Sequence, residues 1–105
     1  MKPGDRMWLY HNDTGLVEVD IDLVDHTYAA AGTVVSTGKR MQAAYQRFQP
    51  TRLGALEVAL EIARKAARKA EGYIYATDAE RDAWPNTERH LAGLVLAELE
   101  RRVAS

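Results

Sequence analysis

Glu18, Asp20 and Asp22 alternate along one stretch of this 105-residue chain. In an extended strand such residues share a face at intervals of about 6.6 Å, twice the rise per residue. Adjacent pairs could then share a hard cation such as Mg²⁺ or Ca²⁺, with Asp25 or Asp13 brought in by a turn as a further oxygen ligand. Two other readings stand beside that one. The row could be a solvated strand face balanced by Lys39, Arg40 or Arg47 on a neighbouring strand, the usual arrangement of cross-strand charge. This second reading is the expectation adopted, and it needs no metal. The row could also mimic phosphates and occupy a basic groove, which adds Glu18, Asp20 and Asp22 to the candidate protein-contact residues.

A basic quartet, Arg64, Lys65, Arg68 and Lys69, offers different chemistry. On a helix it spans about 140° and could lie along a phosphate backbone, which makes nucleic-acid binding the alternative function. Glu57, Glu61 and Glu71 dilute it, and no glycine-rich phosphate loop precedes it, so a solvated helix face competes with that reading. Trp8, Tyr10, Tyr28 and Tyr45 could form a stacking platform for bases or serve as core aromatics.

For catalysis the inventory is short. His11, His26 and His90 are the imidazoles, and Ser36 is the sole serine before the last residue. A triad would need Ser36, one histidine and an acid from residues 13–25, yet the paired glycines of a nucleophile elbow do not flank Ser36. His90 has no partner at metal-ligand spacing. The expectation is a non-enzymatic chain with no cofactor.

Composition bounds the rest. Apolar residues at 47% and charged residues at 28% match globular usage. The length suits one domain, residues 1–105, with a β-rich part over 1–50 and a helical part over 51–105. Net charge is −1, with five basic and six acidic residues in the first 50 positions and nine of each afterwards, so no global field favours nucleic acid. The absence of cysteine removes disulfides and thiolate chemistry. No apolar run approaches bilayer length or resembles a signal peptide, and the chain reads as cytosolic, away from membranes.

The elements that must position these groups follow from period and punctuation. Residues 6–10 read as a short aromatic strand ending in turn formers at 11–15. Val17, Val19, Ile21 and Leu23 face one way and the acidic row the other, a half-buried strand. A bend at Asp25-His26 leads to a strand over Tyr28 to Ser36 and a turn at Thr37-Gly38-Lys39. Met41 to Phe48 fits either a fourth strand or a helical piece. Thr51 caps the long helix from Thr51 to Glu71, with Gly72 placed as a left-handed C-cap. Leu53, Leu56, Ala59, Leu60, Ala63, Ala66, Ala67 and Ala70 form its apolar arc, and Glu61 pairs with Arg64 and Lys65 on the other side. Tyr73-Ile74-Tyr75 leans towards strand, a brief helix runs from a capping box at Thr77 to Trp84-Pro85, and Asn86 caps the last helix. In that helix Leu91, Ala92, Val95, Leu96, Leu99 and Val103 share a face, with Leu94 opposite.

The expected fold is α+β: a twisted antiparallel sheet of three or four strands packed on the long helix and the C-terminal helix, with an SH3-like partial barrel as one form of it. The opening Gly4 to Tyr10 is the kind of first strand such barrels use, and seven residues identify no family. The leading expectation for function is an accessory or regulatory protein that binds another protein. It would self-associate, as a homodimer, through Val58, Ile62 and Leu94.

Overall fold

The alternation that begins at Val17 forms the central strand of a four-stranded antiparallel sheet, in the order β1-β2-β3-β4. The strands are β1 (Arg6–His11), β2 (Gly15–Asp25), β3 (Ala29–Val34) and β4 (Arg40–Ala44). This is a computed structural model, and it describes residues 1–12, 14–25, 27–72 and 77–104. The expected turn at Asp13, the bend at His26 and the strand-like piece at 73–75 lie outside the described residues. The chain divides into two compact units, Met1–Leu56 and Glu57–Ser105, and is α+β in class.

In the first unit, register decides which residues are inside. Leu9 faces Val17, Val19 faces Val34, Ile21 faces Gly32, and Val24 faces Ala30. Leu9, Val19, Ile21, Ala30 and Val34 are buried together with Phe48, and Met7, Val17, Val24, Met41 and Ala43 pack around them. The opposite face carries Arg6, Glu18, Asp20, Thr33 and Arg40. At the β3–β4 turn Gly38 N donates to Val34 O at 2.8 Å, with Gly38 at φ 73°, a conformation glycine adopts without steric cost.

The alternation breaks once. Ile21 pairs with Gly32 but Leu23 pairs with Ala31, so Asp22 is an extra residue on β2, a β-bulge. The expectation that Leu23 continues the inner row is therefore overturned. Leu23 is 62% exposed on the outer face, and Val24 takes the inner position. A two-residue period holds only while both strands advance together.

Residues 41–48 combine both expectations for that stretch. β4 occupies Arg40–Ala44, a 3₁₀ turn covers Tyr45–Arg47, and Phe48 enters the core. The next residue returns to the first strand: Trp8 N donates to Gln49 O at 2.7 Å and Gln49 N to Trp8 O at 2.9 Å. The free edge of β1 is thus paired at that point, and Arg52 lies over the Trp8 ring, 5.0 Å from its centroid.

The long helix, α1 (Arg52–Gly72), starts where the sequence indicates. Thr51 Oγ accepts from Gly54 N at 3.0 Å, as an N-cap should. Ala59, Leu60 and Ala63 of the expected arc are buried, while Glu57, Glu61, Arg64, Lys65, Arg68 and Lys69 are exposed. Gly72 is the last helical residue, and positive φ among the described glycines falls on Gly4, Gly15 and Gly38, so Gly72 is not the left-handed cap.

The two expected C-terminal helices are one. α2 (Asp78–Ala104) runs for 27 residues with Pro85 inside it. Asn86 is an interior residue whose Oδ1 accepts from Arg89 Nη2 at 2.8 Å, rather than a cap. A proline removes one helical hydrogen bond and costs about 3 kcal/mol. A break is thus the natural sequence reading, yet here the helical turns on both sides carry through. Around the proline, Thr87 Oγ donates to Ala83 O at 3.0 Å.

Candidate functional site

The acidic row has its charges met from β1 beside it and from β4 across β3. Arg6 Nε donates to Asp20 Oδ1 at 2.7 Å and Nη2 to Oδ2 at 3.3 Å, and Arg6 Nη1 lies 3.9 Å from Glu18 Oε1. Arg40 Nη1 pairs with Asp22. Of the expected partners only Arg40 serves. Arg47 instead donates from Nη2 to Tyr10 O at 2.6 Å, and Arg6, opposite Asp20 in register, takes the role that spacing alone did not assign. Among the described residues no group of three or more acidic or imidazole side chains could hold a metal ion.

These pairs carry a pH signature. The hydrogen bond from Arg6, with the Arg6 charge, holds the Asp20 carboxyl below its ordinary range, and the same bond raises Arg6. The hydrogen bond to Asp22 raises Arg40. A carboxyl depressed in the folded state contributes stability above its unfolded pKa, and loses that contribution as pH falls through the folded value. Replacing Asp20 with Asn should therefore lower Tm slightly at pH 7. The difference from wild type should shrink as pH falls through the usual carboxylate range, and go on shrinking below it until Asp20 is protonated in the folded protein too. Thermal melts of both proteins from pH 2 to 8 check this; an unchanged difference at low pH would count against it.

The basic quartet is half engaged. Arg64 Nε donates to Glu88 Oε1 on α2 at 3.2 Å, and Arg68 Nη2 lies 3.8 Å from Glu61 Oε1. The expected Glu61 pairs with Arg64 and Lys65 are replaced, because Arg64 reaches across to α2 and the longer Arg68 spans two turns back to Glu61. A groove of about 670 Å³ between α1 and α2 holds Arg64, Arg68 and Arg81 beside Glu71, Asp82 and Glu88. Three cations against three anions leave it with no net attraction for phosphate.

Of the residues expected to self-associate, Val58 and Leu94 are half-buried and Ile62 is 44% exposed. The most exposed apolar positions on α2 are instead Leu96, Leu99 and Val103, a row at helical spacing on the face that was expected to be covered. Buried Leu91 and Glu98 fall with Leu94 on the other side of the helix. The aromatics do not form one platform: Tyr10 is buried, Trp8 and Tyr45 are half-buried, and Tyr28 is 74% exposed. Ser36 is exposed in the β3–β4 turn, His11 is half-buried at the end of β1, and His90 is exposed on α2.

One site was not legible from spacing. Past the bulge, the outer face of β2, β3 and β4 changes from charged to apolar. The row Asp20, Thr33, Arg40 gives way to Leu23, Ala31, Gln42 and then Asp25, Ala29, Ala44. Leu23, beside Ala31 in register, and Tyr28, next to Ala29 in the chain, line a groove of about 240 Å³ together with Ala29, Ala30, Ala31, Asp25 and Gln42, the side chain of Ala30 belonging to the inner row. Small residues make the floor and two tall apolar side chains make the walls. The available signal was the alanine run Ala29-Ala30-Ala31, which has too little side chain to cover what lies next to it.

No protein-family model, characterised protein or solved structure matches the chain. No described helix is long and apolar enough to cross a membrane.

Proposed function

We propose that this chain is a non-enzymatic protein-interaction module, of the accessory or regulatory kind, whose partner docks on the outer face of β2, β3 and β4. The observation that carries the reading is the groove itself: Leu23 and Tyr28, both largely exposed, flank a floor of alanines. Concave apolar pockets that accept one anchor side chain, with a polar rim, are where binding energy concentrates at protein interfaces. Asp25 and Gln42 supply such a rim. The strand order, with Gln49 returning to the free edge of β1 after a 3₁₀ turn, supports reading this unit as a partly closed, SH3-like barrel. In that form the outer sheet face stays open to a ligand.

The test is site-specific photocrosslinking in the cell of origin. A benzoylphenylalanine in place of Tyr28 should give a discrete adduct that excess wild-type protein competes away and the Leu23→Asp variant does not. The same probe at Lys65, on the basic helix face, should give none. Equal competition by both competitors, or adducts at position 65 alone, would remove this reading; the second outcome would move attention to the basic helix face.

A further inference from the structure

β4 is the outer strand of the sheet, and its backbone can be divided by direction. Val34 N donates to Lys39 O at 2.8 Å and Tyr45 N donates to Tyr28 O at 3.1 Å, which makes 39–34 and 45–28 hydrogen-bonded positions of the β3–β4 ladder. Such positions alternate in an antiparallel pair, so Met41 with Gly32 and Ala43 with Ala30 are hydrogen-bonded too. The N–H and C=O of Arg40, Gln42 and Ala44 therefore point away from β3. Among the described residues none pairs with that edge.

Exposed edges are commonly blocked by lysine, proline, a bulge or an inward charge. The sequence Arg40-Met41-Gln42-Ala43-Ala44 has none of these within it, and its one charge sits at the first position. We propose that β4 pairs with β4 of a second copy of this chain, antiparallel about Gln42, so that two sheets join through their edges.

The choice of a second copy rests on self-complementarity. Pairing about Gln42 sets Gln42 against Gln42 of the second copy, where two carboxamides can exchange hydrogen bonds. Arg40 falls opposite Ala44, so the two arginines lie at opposite ends of the paired strands and no like charges meet. Parallel pairing would bring them together. On the inner face the half-buried Met41 lies beside Ala43 of the second copy, covering apolar surface on both. Each outward-facing residue then belongs to a hydrogen-bonded pair with two N–H···O bonds.

Five-residue strands give a contact at the small end of specific interfaces, so the dimer is expected to dissociate in the range of tens of micromolar, as an order of magnitude. Sedimentation velocity of the full chain from about 5 to 500 µM should show a monomer becoming a dimer. Gln42→Pro removes only an outward N–H, which an edge strand tolerates. It should raise the dissociation constant at least about tenfold, with an unchanged circular dichroism spectrum. A monomer throughout, or a dimer that Gln42→Pro leaves intact, overturns the proposal; the second result would place self-association elsewhere, as on Ile62 or the Leu96, Leu99, Val103 row. Amide exchange of the wild-type protein tests it without a variant. Gln42 and Ala44 should gain protection with concentration, while Met41 and Ala43 are protected throughout. No such concentration dependence also overturns it.

Discussion

Replacing Gly32 with Ala is expected to destabilise the first unit by about 3 kcal/mol, the upper end of the cost of overpacking a core. Gly32 is buried on β3 between Ile21 of β2 and Met41 of β4. A Cβ there would run into the Asp20 carbonyl oxygen, and would sit 2.8 Å from the carbonyl carbon and 2.9 Å from Val19 Cγ1. Backbone cannot swing aside as the end of a flexible side chain can. Relief must come from separating β3 from β2, next to the bulge that already bends β2. Urea unfolding followed by Trp8 fluorescence, in a Trp84→Phe background so that only the first unit reports, measures the effect. A loss below about 1 kcal/mol would mean that β2 moves away from β3 at this point at little cost.

Phe48→Ala should cost about 3–5 kcal/mol, the usual range for deleting a buried phenylalanine. Phe48 is buried with Leu9, Val19, Ile21, Ala30 and Val34, so it touches the inner face of three strands while belonging to none. Its removal leaves a cavity that those strands can close only by changing the curl of the sheet. It also frees the neighbouring Gln49, whose two hydrogen bonds with Trp8 hold the chain back on β1. The same urea experiment applies, and Phe48→Leu should recover a large part of the loss. If Phe48→Ala and Phe48→Leu were equally mild, Phe48 would be filling space that other side chains can fill.

Much of this fold was legible because local and tertiary preferences agree. Val17, Val19 and Ile21 alternate with acids, and the strand is there. Thr51 precedes an apolar arc at helical spacing, and the N-cap hydrogen bond is there. The failures fall where one residue changes the count or where a neighbour decides. Asp22 reads as part of a regular alternation, and no single-strand pattern tells which strand holds the extra residue. Pro85 reads as a stop, since its intrinsic cost is large; here α2 continues on both sides of it. Gly72 reads as a cap, but a cap depends on what the following residues bond to. The candidate groove was hidden for the same reason as the bulge, because its walls share a face only after Leu23 has turned outward. The charge assignments were half legible: acids on a strand imply bases beside them, whereas the choice of Arg6 needs the register of β1 on β2.

The bulge at Asp22 has a consequence for how this surface could be gained or lost in descent. Deleting that one codon would remove the bulge and leave Ile21, Leu23, Val24 and Asp25 alternating with the partners and facing they already have, so Leu23 would stay outward. Changing the facing takes a residue on the other strand: one codon inserted between Ala31 and Gly32 of β3 would give Asp22 a partner, and strict pairing of β2 with β3 would then carry Leu23 inward. None of the existing amino acids would change, yet the groove would lose a wall. The chemistry of the far end of the sheet is therefore inherited through the difference in residue count between two strands as much as through residue identity.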